Sequence, residues 1–311
     1  KMAKTALESD IDFDDGVVIT KYGYLGSDLK YVKCFEAGHP ISDENTIRAS
    51  EYALKLVENL SKDDMVIMLI SGGGSSLFEI PLIDFEGANI VEINTIRKRL
   101  SKIKGGKFAK LCQPARVYSI LLSDVVGNRP DMIASGPTFI DYSTSKEALS
   151  LVEKYNLDLS DKAYELLKTE TEKKLSNIEI KISGSVDQLC LKAKKVLEEE
   201  GYDVDLLTTC LGNEASEVGL IMAAIARTKS KSKERKAYVL GGETVVHLKG
   251  SGKGGRNQEL VFAAAKDIEG LSNVKIISYS SDGSDGPTDA AGGYVDGNTM
   301  KKLYKNSINY N

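Results

Sequence analysis

Short apolar runs alternate along the chain with amphipathic stretches. Gly16–Thr20, Met65–Ile70, Val117–Leu122 and Val274–Ser280 have the length and composition of strands, and Ser42–Leu60 separates the first two. That alternation predicts βαβ units and an α/β fold. Met65–Ile70 is a wholly apolar run and is apolar on both faces, which predicts a central strand of a parallel sheet covered by helices on each side. Ser42 and Asp43 are cap candidates, and Ile47, Leu54, Val57 and Leu60 recur at helical spacing, so Ser42–Leu60 predicts one amphipathic helix. Thr144–Asn177 is helical, polar and rich in charge. A domain boundary is expected near residue 178, giving domains 1–177 and 178–311. Ile178–Ile182 then opens a second β unit, followed by helices over Val186–Glu200 and Glu214–Arg227 and a hairpin over Tyr238–Lys249. The expectation is two α/β domains: a larger, doubly wound, largely parallel-sheet one and a smaller one with a hairpin.

Composition narrows the class. At 311 residues the chain is long for one core and comfortable for two. With 41% hydrophobic and 28% charged residues it is a folding, globular sequence. The formal net charge of −4 makes nucleic acid and anionic membrane surfaces poor partners. The basic run Lys229–Lys236 has no interleaved aromatic residue and reads as a solvated loop. No apolar run approaches membrane-spanning length, and Lys1–Lys4 lacks the apolar stretch of a signal peptide. Cys34, Cys112, Cys190 and Cys210 are scattered without ligand spacing, which suits reduced core cysteines rather than zinc and a cytoplasmic location.

The candidate chemistry sits where strands end. Directly after Met65–Ile70 comes Ser71-Gly72-Gly73-Gly74-Ser75-Ser76, whose backbone N–H groups and hydroxyls would receive phosphate or carboxylate. A tight connection needing glycine is the structural alternative. A second loop, Gly250 to Glu259, satisfies GxGxxG through Gly250, Gly252 and Gly255, but Lys253 and Arg256 suit a polyphosphate better than the neutral turn of a dinucleotide site. Gly254, Gly255 and Asn257 belong to this cradle. A third cluster, Ser281 to Asp289, follows an apolar strand; Asp282, Asp285 and Asp289 are expected to converge there at magnesium-binding density, with ordinary turn chemistry as the alternative. Asp124, in Leu122–Gly127, is a metal or base candidate. Asn94–Lys107 concentrates cations, including Arg97 and Lys104, that would meet a substrate carboxylate or form a solvated basic face. Of two histidines, His39 at a strand exit is the better site candidate than His247. No GxxxxGK[ST] loop, HRD or DFG kinase pair or GxSxG elbow is present.

Taken in order, Ser71–Ser76, Glu92–Ser101, Ser123–Gly127, Ile133–Thr138, Gly241–Thr244, Gly254–Glu259 and Asp282–Gly292 resemble the class II glycerate kinases, the MOFRL family. The resemblance covers almost the whole chain. It implies phosphorylation of D-glycerate by ATP with Mg²⁺, usually at the 2-hydroxyl, in a cleft between two α/β domains. It implies that Arg256 corresponds to the family's proposed catalytic arginine. Met2-Ala3 matches the end of the family's Gly-Lys-Ala to Met-Ala segment, which would place its partner lysine before residue 1. Leu77–Val91 is shorter than the family's segment there, and the chain stops soon after Gly297 where the family continues. On this reading Ser71–Ser76 hold anionic groups, Asp124 and Asp282 place Mg²⁺, and Arg256 stabilises the transferring phosphoryl. Lys104 and Asp289 join Arg256 as catalytic candidates, Arg97 and His39 meet the substrate, and a homodimer is left open. The rival readings are an NAD(P)H-dependent hydroxypyruvate reductase, resting on the Gly250 loop, and a non-catalytic nucleotide or anion binder.

Overall fold

A computed structural model describes residues 2–25, 29, 32–82, 94–123, 130–248, 250 and 252–306. The chain divides into two compact units, Lys1–Ser185 and Val186–Asn311.

The first unit runs α1 (Met2–Leu7), β1 (Val17–Lys21), β2 (Lys33–Ala37), α2 (Glu44–Leu56), β3 (Met65–Ile70), α3 (Gly74–Leu77), α4 (Asn94–Arg99), α5 (Lys107–Leu111), β4 (Arg116–Ser123), a 3₁₀ turn at Ile133–Ser135, α6 (Ser145–Lys154), α7 (Asp161–Leu167) and β5 (Ile178–Ser185). Among the described residues its strands pair in parallel: β1 with β2, and β3, β4, β5 in that order. Parallel neighbours need a crossover, and the helices between β3 and β4 and between β4 and β5 supply it. Asp43 starts α2 with a reciprocal cap: its carboxylate accepts from the Thr46 N–H at 2.9 Å, while its own N–H donates to the Thr46 hydroxyl at 3.1 Å. Ala53 and Val57 then pack with Phe78, Ile80, Phe108 and Val117, where the Phe78 and Phe108 rings meet edge to face at 5.2 Å. A second cluster joins Ile96 and Leu100 to Ala148, Val152, Ala163 and Leu167 of α6 and α7.

The second unit runs α8 (Val186–Glu199), β6 (Asp203–Leu211), α9 (Ala215–Lys229), β7 (Lys236–Gly242), α10 (Arg256–Ala265), β8 (Lys275–Tyr279), β9 (Gly292–Asp296) and α11 (Thr299–Lys305). β6 and β7 pair in parallel, β8 and β9 antiparallel. α9 and α10 cross closely at Gly219, where an added Cβ would lie 2.1 Å from the Leu260 carbonyl oxygen.

Three expectations change. Strand β5 does not open the second unit: Ile178 registers with Val117 and Ser185 with Ser123 of β4, so the division falls after Ser185. Met65–Ile70 is not the middle strand, because β4 lies between β3 and β5 among the described strands. Tyr238–Lys249 is not a hairpin: β7 takes β6 as its parallel partner, and Val245 makes a single bridge to Glu214. The antiparallel pair of this unit is β8–β9 instead.

Candidate active site

In the first unit the chain leaves β3 into Ser71–Ser76. Ser71 and Gly72 are exposed, Gly73 adopts φ +84°, and Ser76 is buried with its hydroxyl donating to the Gly73 carbonyl at 3.1 Å. Two of the three glycines are also demanded by packing. A Cβ on Gly73 would lie 2.8 Å from the His39 ring, and one on Gly74 would lie 2.7 Å from the Ala134 Cβ. His39 is therefore beside the loop; burial and then Lys21 hold its imidazole below the ordinary value. Opposite Gly74 the backbone is left-handed at three successive residues, Ala134 (φ 50°), Ser135 (φ 60°) and Gly136 (φ 63°). For the two L-residues that conformation costs about 1–2 kcal/mol each. It is held by the Gly105 N–H on the Ser135 carbonyl at 3.1 Å and the Gly106 N–H on the Gly136 carbonyl at 2.7 Å. The Ser135 hydroxyl donates to Asn94 Oδ1 at 3.0 Å and lies 3.0 Å from the Ser75 hydroxyl. Since Ser135 has one proton to give, Ser75 is the donor in that pair.

Lys104 is wholly buried beneath this loop. Its ammonium donates to the Ser75 carbonyl at 2.6 Å and the Phe78 carbonyl at 3.2 Å, and lies 3.4 Å from Glu79 Oε2. Glu79 also accepts from the Ser101 hydroxyl at 2.5 Å and faces Arg97 Nε at 3.7 Å. Burial lowers the Lys104 ammonium to about 8, against the opposing pull of Glu79. Through these two carbonyls and the carboxylate, the Lys104 ammonium tethers the loop from beneath. Lys98 and Arg99 are equally unlike a solvated face, whereas Lys102 is exposed. Lys98 is buried between Asp131 (3.3 Å) and Asp141 (3.1 Å), and Arg99 reaches Asp141 and Glu170. Arg97, a quarter exposed, is the one placed to face outward from beside Glu79.

In the second unit Arg256 starts α10. Its Nη1 donates to the Thr244 carbonyl at 3.1 Å and to Glu243 Oε1, and the side chain is 42% exposed. The motif residues Glu243 and Thr244 thus hold the guanidinium. Asn257 is committed inward: its N–H and side-chain amide both donate to Asp285, and its Oδ1 accepts from Ser278 at 2.6 Å. Asp285 also takes the Gln258 N–H at 2.9 Å and the Gln258 side-chain amide at 3.1 Å. Its carboxylate occupies the N-terminus of α10, against Gly255, where a Cβ would lie 2.3 Å away. The seat expected to cradle phosphate at Gly254, Gly255 and Asn257 is filled by the protein's own carboxylate. The expected convergence of Asp282, Asp285 and Asp289 does not occur: Asp285 is buried, Asp282 and Asp289 are exposed, and no group of three metal-ligating side chains forms among the described residues. Asp124 lies outside the described residues.

Burial pushes the Asp285 carboxyl up, but its four donors outweigh that, and it stays below the ordinary 3.8. A carboxyl held below its unfolded value lends stability above that value and loses it as the pH falls through the folded one. Asp285→Ala is expected to cost about 2–3 kcal/mol in urea unfolding at pH 7, since four donors lose their acceptor and α10 its cap. An unchanged midpoint would show that the carboxylate does not close this turn.

Comparison with known proteins fits these motifs to a family. Residues 1–168 match the family described as a domain of unknown function (DUF4147), and residues 236–311 match the MOFRL family. The chain is 47% identical to the D-glycerate 2-kinase of Thermotoga maritima over 97% of its own length and 77% of that protein's. This chain belongs to the glycerate 2-kinase family. Its likeness to the glycerate 2-kinase of Pyrococcus horikoshii is 38% identity over 97% of this chain and 75% of that one. Its fold matches the crystal structure of the Thermotoga maritima glycerate kinase with a TM-score of 0.86 and 45% identity, covering 95% of this chain and 76% of that one.

Membership of the glycerate 2-kinase family leaves two residues that the sequence reading passed over as site components, Glu79 and Glu243. Each is the acid that fixes a cation of interest, Lys104 and Arg256 respectively. Glu243 stands in the Gly241–Thr244 motif and could have been paired with Arg256 by that signal. Glu79 carries no local signal, because its burial beside Ser101 and Lys104 is a tertiary fact.

Proposed function

We propose that the chain transfers the γ-phosphoryl group of ATP to the 2-hydroxyl of D-glycerate, giving 2-phosphoglycerate and ADP. The observation that carries this reading is 47% identity to a D-glycerate 2-kinase over nearly the whole chain. In the reaction the bond from the γ-phosphorus to the β–γ bridging oxygen breaks, a bond to the glycerate hydroxyl oxygen forms, and the hydroxyl proton is released. Such a transfer asks for positioning and for neutralisation of phosphoryl charge rather than for protein nucleophiles.

The residues fit those tasks in each unit. Ser71 and Gly72 are exposed on a loop whose floor is fixed by Lys104, Ser135 and Asn94, so anionic groups meet a cradle that is already formed. Arg256, held by Glu243 and Thr244 yet 42% exposed, is the cation for the moving phosphoryl. Arg97 and His39 are the described candidates for the glycerate carboxylate. Magnesium arriving with nucleotide phosphates needs only one or two protein carboxylates, since it keeps most of its water. Asp282 and Asp289, both exposed, could provide them, and magnesium would supply neutralisation of the phosphate charge. No helix among the described residues is long and apolar enough to cross a membrane; a cytoplasmic setting and a homodimer remain part of the proposal.

The dinucleotide alternative needs the pyrophosphate at the N-terminus of α10, where Asp285 sits. It also needs a strand running straight into the glycine turn, whereas β7 ends at Gly242 and a Cβ on Gly250, Gly252 or Gly254 would meet nothing within 4 Å. Incubation with ATP, Mg²⁺ and D-glycerate, followed by phosphorus NMR, should show 2-phosphoglycerate and ADP in equal amounts. Absence of ADP, or NADH oxidation by hydroxypyruvate without ATP, would overturn the reading.

A further inference from the structure

Among the described residues Arg256 is tied down at one corner of its guanidinium. That group carries five N–H donors, two on each Nη and one on Nε. Both Nη1 protons are taken, one by Glu243 Oε1 and the other by the Thr244 carbonyl at 3.1 Å. Nε and Nη2 have no partner among the described residues, and the side chain reaches solvent.

The two acceptors stand on backbone that is itself pinned. β7 ends at Gly242, where an added Cβ would lie 2.3 Å from the Leu211 carbonyl oxygen. The Glu243 N–H donates to that same carbonyl at 2.8 Å. Two residues on, the Val245 N–H donates to the Asn213 carbonyl at 3.1 Å, and the Ala215 N–H donates back to the Val245 carbonyl at 2.9 Å. Thr244 lies between these anchors, so the connection from β6 to α9 fixes where its carbonyl and the Glu243 side chain begin. At the other end Arg256 opens α10 behind Gly255, which is closed against Asp285. The stretch between carries Gly250, Gly252 and Gly254, where an added Cβ would meet nothing within 4 Å. That glycine-rich stretch offers no packing at those positions, so the aim of the guanidinium is set by Glu243 and Thr244. An ion pair between two side chains this exposed contributes little to folding. Its weight lies in where it makes the guanidinium point.

We propose that Glu243 is the positioning residue of Arg256: by filling Nη1 together with the Thr244 carbonyl, it turns the Nε–Nη2 edge outward as a fork for two oxygens of the transferring phosphoryl group. The inference rests on the phosphoryl transfer proposed above, and adds which edge of the arginine acts and what aims it. A planar fork of two parallel N–H groups matches two phosphoryl oxygens, the bidentate arrangement in which arginine binds phosphate with most geometric specificity. Glu243 acts through Arg256 and does not itself touch the substrate. Its removal has two opposed effects, since the freed guanidinium keeps more of its charge for the phosphoryl group but is less well placed. Water screens the first effect at so exposed a pair. The second is large, because a misplacement of about 1 Å at a reacting group costs up to roughly a hundredfold in rate. Positioning therefore decides the sign.

Steady-state kinetics of the full chain with ATP, Mg²⁺ and D-glycerate test this on Glu243→Ala, Glu243→Gln, Arg256→Ala and the double variant Glu243→Ala with Arg256→Ala. Glu243→Ala is expected to lower kcat by roughly ten- to a hundredfold while the KM for D-glycerate stays within about threefold. Its melting temperature should stay within about 2 °C of the wild type, because the pair is exposed. Glu243→Gln keeps an acceptor for Nη1 and should recover most of the rate. In the Arg256→Ala background, Glu243→Ala should cost less than about threefold more, since no guanidinium is left to aim. The positioning role is overturned by an unchanged or raised kcat in Glu243→Ala, by equal losses in Glu243→Ala and Glu243→Gln, or by a loss that persists undiminished without Arg256. A wild type that forms no ADP overturns the reaction and this inference with it. An active wild type beside an equally active Glu243→Ala overturns this inference alone.

Discussion

Arg256→Ala is expected to lower kcat by about a thousandfold or more, the magnitude by which a single arginine on a transferring phosphoryl group accelerates such reactions. Folding should be little affected. The side chain is 42% exposed and its partner Glu243 is 51% exposed, so truncation leaves no charge stranded in an apolar interior. The loss should fall on kcat rather than on the KM for D-glycerate, because a cation aimed at charge developing in transfer acts on the transition state. Arg256→Lys should recover only part of the rate, since lysine brings the charge without the planar fork. Steady-state kinetics of the three proteins at matched melting temperature decide it, and near-normal turnover in Arg256→Ala would remove the residue from the chemistry.

Lys104→Met is expected to destabilise the protein by about 3–5 kcal/mol. It leaves Glu79 without its buried cation and takes a donor from the carbonyls of Ser75 and Phe78. Urea unfolding followed by tryptophan-independent circular dichroism measures it, and adding Glu79→Gln should return a substantial part of the loss by removing the stranded charge. A midpoint unchanged by Lys104→Met would show that the tether is not used. The pH dependence separates loop function from stability. The folded value of Lys104, about 8, lies below the 10.5 of a free lysine. Between those values the unfolded chain binds more protons than the folded one, so this group's contribution to stability rises with pH across that window. The tether to Glu79, however, uses the charged form, which is lost above about pH 8. Turnover is therefore expected to decline above pH 8 without a parallel drop in melting temperature, and a flat rate profile to pH 9.5 would remove Lys104 from control of the loop.

Much of this molecule is written locally. The Asp43 cap, the helical spacing through Ser42–Leu60 and the helices after Val186 and Glu214 each depend on residues within a turn of one another, and α2, α8 and α9 appear close to where those signals put them. The glycine loop after Met65–Ile70 and the ordered motifs likewise identified the family from the chain alone. Non-local pairing was not legible. Nothing within Ile178–Ser185 tells which strand it will join, because a parallel partner is chosen across more than fifty intervening residues by the sheet as a whole. The same holds for charge. Lys98, Arg99 and Lys104 look like a solvated basic face in sequence, yet all three are buried, because Asp131, Asp141, Glu170 and Glu79 arrive from elsewhere in the chain to pair them. Three aspartates in one turn suggested a metal cluster, but the fold spends Asp285 on the N-terminus of α10, whose otherwise unpaired N–H groups take its carboxylate. Propensity, capping and motif order act between neighbours and survive in the sequence. Strand partners, buried ion pairs and the acceptor each donor finds depend on which distant segments the packed core brings together, and those only the tertiary structure decided.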